Sequence, residues 1–393
     1  MIDLAAIRVE ELEADPYPIY AALRDEAPVA YVPCLDTWMV TRWRDVEAAC
    51  IDPLSFPAHV DDSPTDIALD GVSMMTTDGE AAKRRRRPFD PTFRPRAVES
   101  RMSSVFEDLC RERLEVMAEA GWADLVTDYF EPISLRSLAI AIGIDELVDV
   151  PTLRRWFAGL AAGVSNYERD PGKAASCAAV SAEIDERVGP VFAARLDRPD
   201  DGLISNLVQA AYGPLAERMA LAMPSFKLVL LGGLQEPAHG GATIAHCLLS
   251  HPDQLAAVRA DPSLVPAAVE EGLRWTAPIG NLLRGVAPGT ILGDVELPGE
   301  ARVILVVSSA NRDREIWGPT ADSFDLHRPR REHLSFATGP HFCIGHHFAR
   351  VLLRVAITSL VERFPALRLD EGHETVYRGH EYRSPQAVRV LLD

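Results

Sequence analysis

The chain has 393 residues, 47% of them hydrophobic, and a formal net charge of −18. This length and composition allow a large buried core, and the acidic charge disfavours nucleic acids and anionic membranes as partners. Residues 1–20 lack an apolar signal sequence and no stretch approaches the roughly 20 apolar residues of a membrane span, so we expect a cytoplasmic protein without membrane contacts.

Helical periodicity dominates the chain, with apolar residues three and four positions apart. It predicts helices over residues 15–26, 45–52, 97–120, 132–142, 151–164, 174–195 and 216–249. Alternating or continuous apolar runs predict strands over residues 29–32, 37–40, 283–286 and 303–308. A long loop over residues 52–70 is rich in proline and aspartate, which is typical of functional or mobile segments. Since no linker or repeat divides the chain, we expect one mainly α domain with a small β region over residues 1–393.

The most informative motif is F-x-x-G-x-x-x-C-x-G, which runs from Phe336 to Gly345 and contains Cys343. The glycines Gly339 and Gly345 let backbone approach the cysteine sulfur closely. By itself the run also fits a small buried cysteine in a glycine-bounded turn. The motif resembles the cysteine loop of the cytochrome P450 family. The resemblance implies that Cys343 is the axial ligand of the iron in haem b, and that Phe336 and Gly345 border the cofactor.

Further segments in the family's order extend the resemblance from about residue 15 to the C-terminus. Glu271 and Arg274 form an E-x-x-R pair, whose spacing puts both charges on one helix face. In the family, an arginine at the position of Arg328 joins this pair in a buried cluster that supports the cysteine loop. The resemblance therefore implies the triangular, mainly α cytochrome P450 fold and a haem-thiolate monooxygenase that activates O2.

The resemblance also predicts how the two haem propionates are held. Arg86, Arg284 and His341 match positions that the family uses for this purpose, whereas a fourth position, normally histidine, is Ala82 here. We expect haem binding to survive this departure, because three donors remain. Without the motif, a surface charge would be the simpler interpretation of Arg284 or His341.

Residues 83–87 are five consecutive cations in an acidic chain. Five successive helical side chains point in all directions, so only one or two can face the haem. Such a run usually forms a solvated face, but in the family an acidic electron donor docks on this side. We predict that a separate redox partner, a ferredoxin or a flavin or iron–sulfur reductase, docks near Arg84, Arg87 and the residues between them, and near Arg350.

The segment Gly232-Gly233-Leu234-Gln235-Glu236-Pro237 departs from the family, which has an acid–alcohol pair where Gln235 and Glu236 stand. The resemblance implies that the pair Gly232 and Gly233 makes room for oxygen over the iron, with Gly233 beside the cofactor. We expect Gln235 and Glu236 to be catalytic, with Glu236 carrying protons or acting as a base on hydrogen peroxide. Pro237 lacks the N–H that would bond Gly233, so the helix should be distorted there. A plain helix interruption is the alternative.

The Gln-Glu-Pro variant is similar to that of bacterial family members that O-demethylate lignin-derived methoxyaromatics. We therefore expect a small methoxylated aromatic substrate, with a terpenoid, steroid or macrolide natural product as the alternative and a non-catalytic haem-thiolate sensor or carrier as a minor one. Position in the family fold predicts the residues that line the substrate pocket, although each of them could equally be plain core. They are Met74, Met75, Trp156, Phe157, Leu160, Leu234, Ile279, Asn281 and Tyr382.

Overall fold

The computed structural model describes residues 2–393. In chain order, the α-helices are α1 (Val9–Ala14), α2 (Tyr17–Glu26), α3 (Trp43–Ile51), α4 (Pro64–Ala68), α5 (Gly79–Arg86), α6 (Asp90–Phe93), α7 (Pro95–Ala120), α8 (Glu131–Ile142), α9 (Val150–Val164), α10 (Pro171–Asp197), α11 (Leu203–Gln209), α12 (Leu215–Leu234), α13 (Glu236–Ser250), α14 (Pro252–Ala260), α15 (Val265–Thr276), α16 (Val307–Ala310), α17 (Arg314–Trp317) and α18 (His346–Arg363). The strands are β1 (Val29–Val32), β2 (Thr37–Val40), β3 (Trp122–Asp124), β4 (Asn281–Gly285), β5 (Ile291–Leu292), β6 (Val295–Glu296), β7 (Arg302–Val306), β8 (Arg368–Leu369), β9 (Tyr377–Arg378), β10 (Ser384–Pro385) and β11 (Arg389–Leu391).

The secondary structure is 58% helical with small sheets, which confirms the predicted mainly α class. The chain divides into two compact units. The first contains residues 2–57, 106–133 and 236–393, and the second contains residues 58–105 and 134–235. The prediction that residues 1–393 form one domain stays a prediction.

The first unit contains a four-stranded sheet of order β1-β2-β7-β4, in which β2 and β7 are parallel and the other pairs antiparallel. Val40 and Val303 of this sheet share a buried hydrophobic cluster with Trp43 of α3. Such a cluster holds the strands in register, because a slip by one residue would turn every apolar side chain to the opposite face. The sheet thereby fixes β4, which carries Asn281 and Arg284.

The second unit is helical. α9 and α10 approach closely at Gly159, where a β-carbon would lie only 2.5 Å from Val180 Cγ2. Lys227 on α12 is buried, and its ammonium group donates to Ser181 Oγ at 2.7 Å and to Asp185 Oδ2 at 2.9 Å, both on α10. Since a buried ammonium requires partners, these bonds tie α12 to α10.

The predicted strands 29–32 and 37–40 coincide with β1 and β2, whereas the strand predicted over residues 283–286 lies at Asn281–Gly285, and the predictions for residues 303–308 and 52–70 also differ from the structure. Residues 307 and 308, predicted as strand, begin the short helix α16, because the chain turns away from the sheet after β7. The predicted loop 52–70 contains the short helix α4, which starts at Pro64, a residue whose fixed φ suits a first helical position.

Candidate active site

Cys343 lies between the 3₁₀ turn Gly339–His341 and α18, with its backbone N–H donating to Phe336 O at 2.9 Å. Gly339 has a φ of +70°, and a β-carbon there would lie 2.9 Å from the carbonyl oxygen of Cys50, so only glycine suits this turn. A β-carbon on Gly345, the N-cap of α18, would lie 3.9 Å from Cys343 Sγ. The sulfur is therefore beside a helix N-terminus, which favours its negatively charged form.

A buried ionic cluster lies behind this loop. Glu271 Oε2 accepts from Arg274 Nε at 2.7 Å, and Glu271 Oε1 accepts from Arg274 Nη2 at 2.8 Å and from Arg328 Nε at 3.0 Å. Arg274 Nη1 also donates to Asn311 O at 2.8 Å, and Asn311 in turn bonds Ser335 Oγ and Leu334 N. Hydrogen bonds thus run from the E-x-x-R pair into the segment that precedes Phe336.

Two of the three predicted propionate donors lie in the same unit as Cys343. Arg284 on β4 is buried, and its Nη1 donates to Leu283 O at 2.7 Å. Burial raises the pKa of the Cys50 thiol, and the nearby Arg284 charge acts against this rise. Because the Cys50 carbonyl also contacts Gly339, Arg284 and the cysteine loop border the same end of α3. His341 ends the 3₁₀ turn before Cys343.

Arg86, the third predicted donor, is the last residue of α5 in the second unit, with Nε 4.0 Å from Asp90 Oδ1. The donor set fits haem in its chemistry: a soft thiolate suits iron, and guanidinium groups suit the propionate carboxylates. Gly345 is compatible with this fit, because it adds no side chain beside the sulfur, where a β-carbon would lie 3.9 Å from Cys343 Sγ.

The predicted helix 216–249 is two helices. α12 ends at Leu234, Gln235 follows with φ −111° and ψ −23°, and α13 begins at Glu236. Pro237 is the cause, because it cannot donate the backbone bond that a continuous helix needs. Ser134 Oγ donates to the carbonyl of Leu234 at 2.7 Å and so satisfies one acceptor at the break. Glu236 is buried, with 7% of its surface exposed, in the first turn of α13, where the helix dipole favours a carboxylate.

The two glycines before the break differ in their surroundings. A β-carbon on Gly233 would lie 3.2 Å from Leu138 Cδ2 on α8, so this glycine permits close helix packing. A β-carbon on Gly232 would meet no atom within 4 Å. Gly232 is the exposed glycine of an otherwise buried apolar segment, and it therefore presents bare backbone. The role of Gly233 beside the cofactor stays a prediction, and the different packing around Gly232 and Gly233 could not be read from the sequence.

The structure brings some predicted pocket residues together within each unit. Ile279 and Tyr382 form an isolated β-bridge, and Asn281 Nδ2 lies 3.1 Å from His380 Nδ1. In the second unit, Met74 N donates to Ser225 Oγ at 2.9 Å. The remaining predicted residues of that unit are buried, except for the half-buried Met75: Trp156, Phe157, Leu160 and Leu234. Their contact with substrate stays a prediction.

His380 was not anticipated, because it lies 99 residues from Asn281 in a segment without a motif. Its Nε2 is 3.5 Å from Glu13 Oε1. Burial lowers the pKa of His380 to about 4, so the ring is neutral near pH 7. A neutral ring with its proton on Nε2, facing Glu13, has Nδ1 as an acceptor. Asn281 therefore donates with Nδ2 and is left with Oδ1 as a buried acceptor that has no partner among the described residues.

The basic run divides between two environments. Lys83, Arg84 and Arg87 are exposed, whereas Arg85 and Arg86 are half-buried. This division agrees with the expectation that only one or two of the five cations can point inward. Arg350 is half-buried and forms a bidentate ion pair with Glu270, and docking of a redox partner near it stays a prediction.

The comparisons with known proteins agree with this site. The Cytochrome P450 family model matches residues 257–377. The 6-deoxyerythronolide B hydroxylase of Saccharopolyspora erythraea is 30% identical over 397 residues, which cover 96% of each chain. The steroid C26-monooxygenase of Mycolicibacterium smegmatis is 30% identical over 78% of this chain and 76% of that protein. A solved cytochrome P450 enzyme for C–S bond formation in chuangxinmycin biosynthesis has a TM-score of 0.88 at 26% identity and covers 100% of this chain and 98% of that one.

A mainly α fold with a cysteine loop of this kind defines a haem b-dependent monooxygenase. The chain belongs to the cytochrome P450 family. Like other members, it acts on a small-molecule substrate with O2 and a redox partner. Within residues 2–393, every helix is too short or too polar to cross a membrane.

Proposed function

We propose that Cys343 ligates the haem iron and that Gln235 and Glu236 manage protons on the oxygen side during hydroxylation of an apolar natural product. The proposal rests mainly on the helix break, which puts a buried carboxylate in the first turn of α13, where the family has an alcohol. Haem, when bound, supplies the activation of O2 and the oxidising power. The residues of this chain bind and orient the substrate, limit water and move protons.

Glu236 is proposed as the proton carrier. Its carboxylate is held in an apolar segment, where an uncompensated charge would be costly, and the helix N-terminus offsets part of that cost. A carboxylate in such a place takes up a proton from water and releases it over a short distance. Gln235 ends α12 with an amide that both donates and accepts, which suits it to orienting that water. The same carboxylate would serve as a base on hydrogen peroxide, which makes peroxide-driven turnover a side activity.

The relatives favour a natural product as the substrate. One is named for hydroxylating 6-deoxyerythronolide B and another for oxidising steroids at C26. Both names describe bulky substrates with mostly apolar surface and a few oxygens. Asn281 would provide a polar anchor, because its buried Oδ1 is an acceptor without a partner among the described residues. An acceptor selects a hydroxyl group and rejects a carboxylate, so we expect a neutral substrate that carries at least one hydroxyl.

O-demethylation of a methoxylated aromatic is the second candidate. The observation that favours it is the Gln235-Glu236-Pro237 break itself, since this variant occurs in aryl-ether O-demethylases of the family. Insertion of one oxygen atom into a methyl C–H bond gives a hemiacetal, which collapses to a phenol and formaldehyde. The reaction consumes O2, two electrons and two protons and releases water, so a separate electron donor is required.

Spectral titration of the ferric enzyme tests the proposal. The panel is a macrolide aglycone, a steroid, guaiacol, syringol and 4-methoxybenzoate, because a substrate that displaces iron-bound water shifts the Soret band. A saturable response to the macrolide or steroid, followed by a hydroxylated product in mass spectrometry, supports natural-product hydroxylation. A response to the methoxyaromatics alone, with formaldehyde released, moves the assignment to O-demethylation. If C343S keeps the thiolate-type Soret band in its reduced carbon monoxide complex, the ligand assignment is wrong.

A further inference from the structure

Arg350 lies on α18 and is held by contacts on three sides. Its Nε donates to Glu270 Oε1 at 2.6 Å and its Nη2 donates to Glu270 Oε2 at 2.9 Å. Its Nη1 lies 2.9 Å from His346 Nδ1. A guanidinium group only donates, so His346 Nδ1 accepts, and the tautomer of a neutral His346 is fixed with its proton on Nε2. The bidentate geometry is specific to arginine, because lysine has no planar fork.

These groups surround Phe336, whose carbonyl accepts the Cys343 N–H bond. Arg350 Cζ lies 4.4 Å from the centre of the Phe336 ring, a cation–π distance. The rings of His333 and His346 have centroids 5.8 and 6.2 Å from that of Phe336. His333 Nε2 is 3.3 Å from Glu270 Oε2. We call Glu270, His333, His346 and Arg350 the Phe336 clamp.

The Phe336 clamp differs from the cluster around Glu271, although Glu270 and Glu271 are neighbours on α15. Successive helical residues point about 100° apart, so the two carboxylates serve different surroundings. Glu271 bonds Arg274 and Arg328, which contact backbone carbonyls of residues 317–323. The clamp spans Cys343, because it contacts Phe336 before the cysteine and includes His346 after it.

We propose that the Phe336 clamp is a positioning device for the Cys343 loop, with Arg350 as its central positioning residue. By holding Phe336 and His346 together, it fixes the loop that presents the sulfur and the backbone N–H groups near it, and so sets the donor strength of the thiolate. The inference rests on the proposed role of Cys343 as the iron ligand. It assigns Arg350 an inward role, in contrast to the prediction that a redox partner docks near it.

The clamp is partly exposed to solvent, so substitutions can weaken its contacts stepwise and the effect of each step can be measured. The side chains of Glu270 and Arg350 are 27% and 31% exposed, whereas that of His333 is 1% exposed. Substitution at Arg350 therefore weakens the clamp without placing a new charge in the core. R350K is the most informative variant, since it keeps the charge and loses the fork and the stacking on Phe336.

The experiment uses holoenzyme carrying R350K, E270Q, the double substitution E270Q/R350M, or R354K as the matched control. Arg354 is exposed on the same helix. The readouts are the thiolate-type fraction of the reduced carbon monoxide complex, the rate at which mild denaturant abolishes that band, the iron reduction potential, and the unfolding midpoint of the apoprotein. For R350K and E270Q we expect the band to be lost about tenfold faster and the potential to shift, because charge-assisted bonds of the clamp are broken. R354K should match the parent enzyme.

The double substitution separates positioning from stability. It removes both charges, so the apoprotein regains stability relative to E270Q, in which Arg350 keeps its charge but loses the carboxylate that balances it. The thiolate-type band should nevertheless stay labile, because the clamp is absent. Recovery of the band together with stability would show a purely structural role and overturn the proposal, as would parent-like behaviour of R350K. Absence of the thiolate-type band in the parent enzyme would instead refute the role of Cys343.

Discussion

The substitution E271Q removes one negative charge from between two arginines and keeps the shape of the side chain. Glu271 Oε1 accepts from Arg274, Arg328 and the backbone N–H of Asp325, and Oε2 accepts from Arg274. Whichever way the glutamine amide is turned, its NH2 group faces at least one guanidinium N–H. The less costly orientation puts NH2 at the Oε2 position, so that one N–H of Arg274 loses its acceptor.

The cost of E271Q follows from burial. The side chain of Arg274 is 1% exposed and that of Glu271 is 6% exposed, so water cannot replace the lost acceptor. Breaking a buried ion pair by removing one partner costs about 3–5 kcal/mol. This is a large fraction of the roughly 5–15 kcal/mol that stabilises a typical protein. We expect the apoprotein to lose about 3–5 kcal/mol of unfolding free energy and most of its capacity to retain haem.

Equilibrium urea unfolding of the apoprotein, followed by tryptophan fluorescence, measures the loss. E80Q is the matched control, because Glu80 pairs with Lys83 while both side chains are largely exposed, and exposed pairs contribute only about 0–1 kcal/mol. A loss below about 1 kcal/mol for E271Q, or an equal loss for both variants, would refute the view that the Glu271 cluster is a buried unit on which the fold depends.

Three further predictions concern the oxygen side and the clamp. E236T should slow peroxide-driven turnover while leaving haem content unchanged; unchanged peroxide kinetics would make Glu236 structural. G232A should raise apoprotein stability by about 0.5–1 kcal/mol, since alanine is the better helix former, yet it should weaken carbon monoxide binding to the reduced enzyme. G233A should instead lower apoprotein stability, because its β-carbon would crowd Leu138. Burial would raise the pKa of Glu270, but its hydrogen bonds lower it to about 2. The stabilisation, at most about 3 kcal/mol, is therefore complete above about pH 4.5 and lost as pH falls towards 2, and E270Q should flatten this acid dependence of urea unfolding.

Local patterns accounted for much of the fold. β1 and β2 begin and end at the predicted residues, because an apolar run bounded by turn residues is a local signal. The helix break at Gln235 was foreseeable in kind, since Pro237 removes a backbone donor, although its consequence was predicted as a distortion and not as two helices. The short helices α4 and α16 were missed, because so few residues carry too little periodicity to be distinguished from turns.

The arrangement of the site was less predictable, because its key contacts join distant parts of the chain. The motif identified Glu271, Arg274 and Arg328, but no local pattern links Glu270 to Arg350, which lie 80 residues apart. The charge of Arg350 is visible in the sequence, whereas its pairing with Glu270 depends on the packing of α15 against α18. Docking of a redox partner near Arg350 stays a prediction.

The two adjacent glutamates of α15 now explain why one short helix matters to the whole cysteine loop. Glu271 fixes the chain before the loop through Arg274 and Asn311, and Glu270 fixes the loop through Arg350. The two sets meet at Ser335, whose Oγ accepts from Asn311 Nδ2 and whose backbone N–H donates to His333 Nδ1. Residues in one hydrogen-bond network usually couple by about 0.5–3 kcal/mol, so we expect the effects of E270Q and E271Q on apoprotein unfolding to be non-additive. Such a coupling would mean that the loop responds to both glutamates as one unit and that the thiolate environment cannot be tuned without a cost in stability, whereas additive effects would show that the two glutamates support the loop independently.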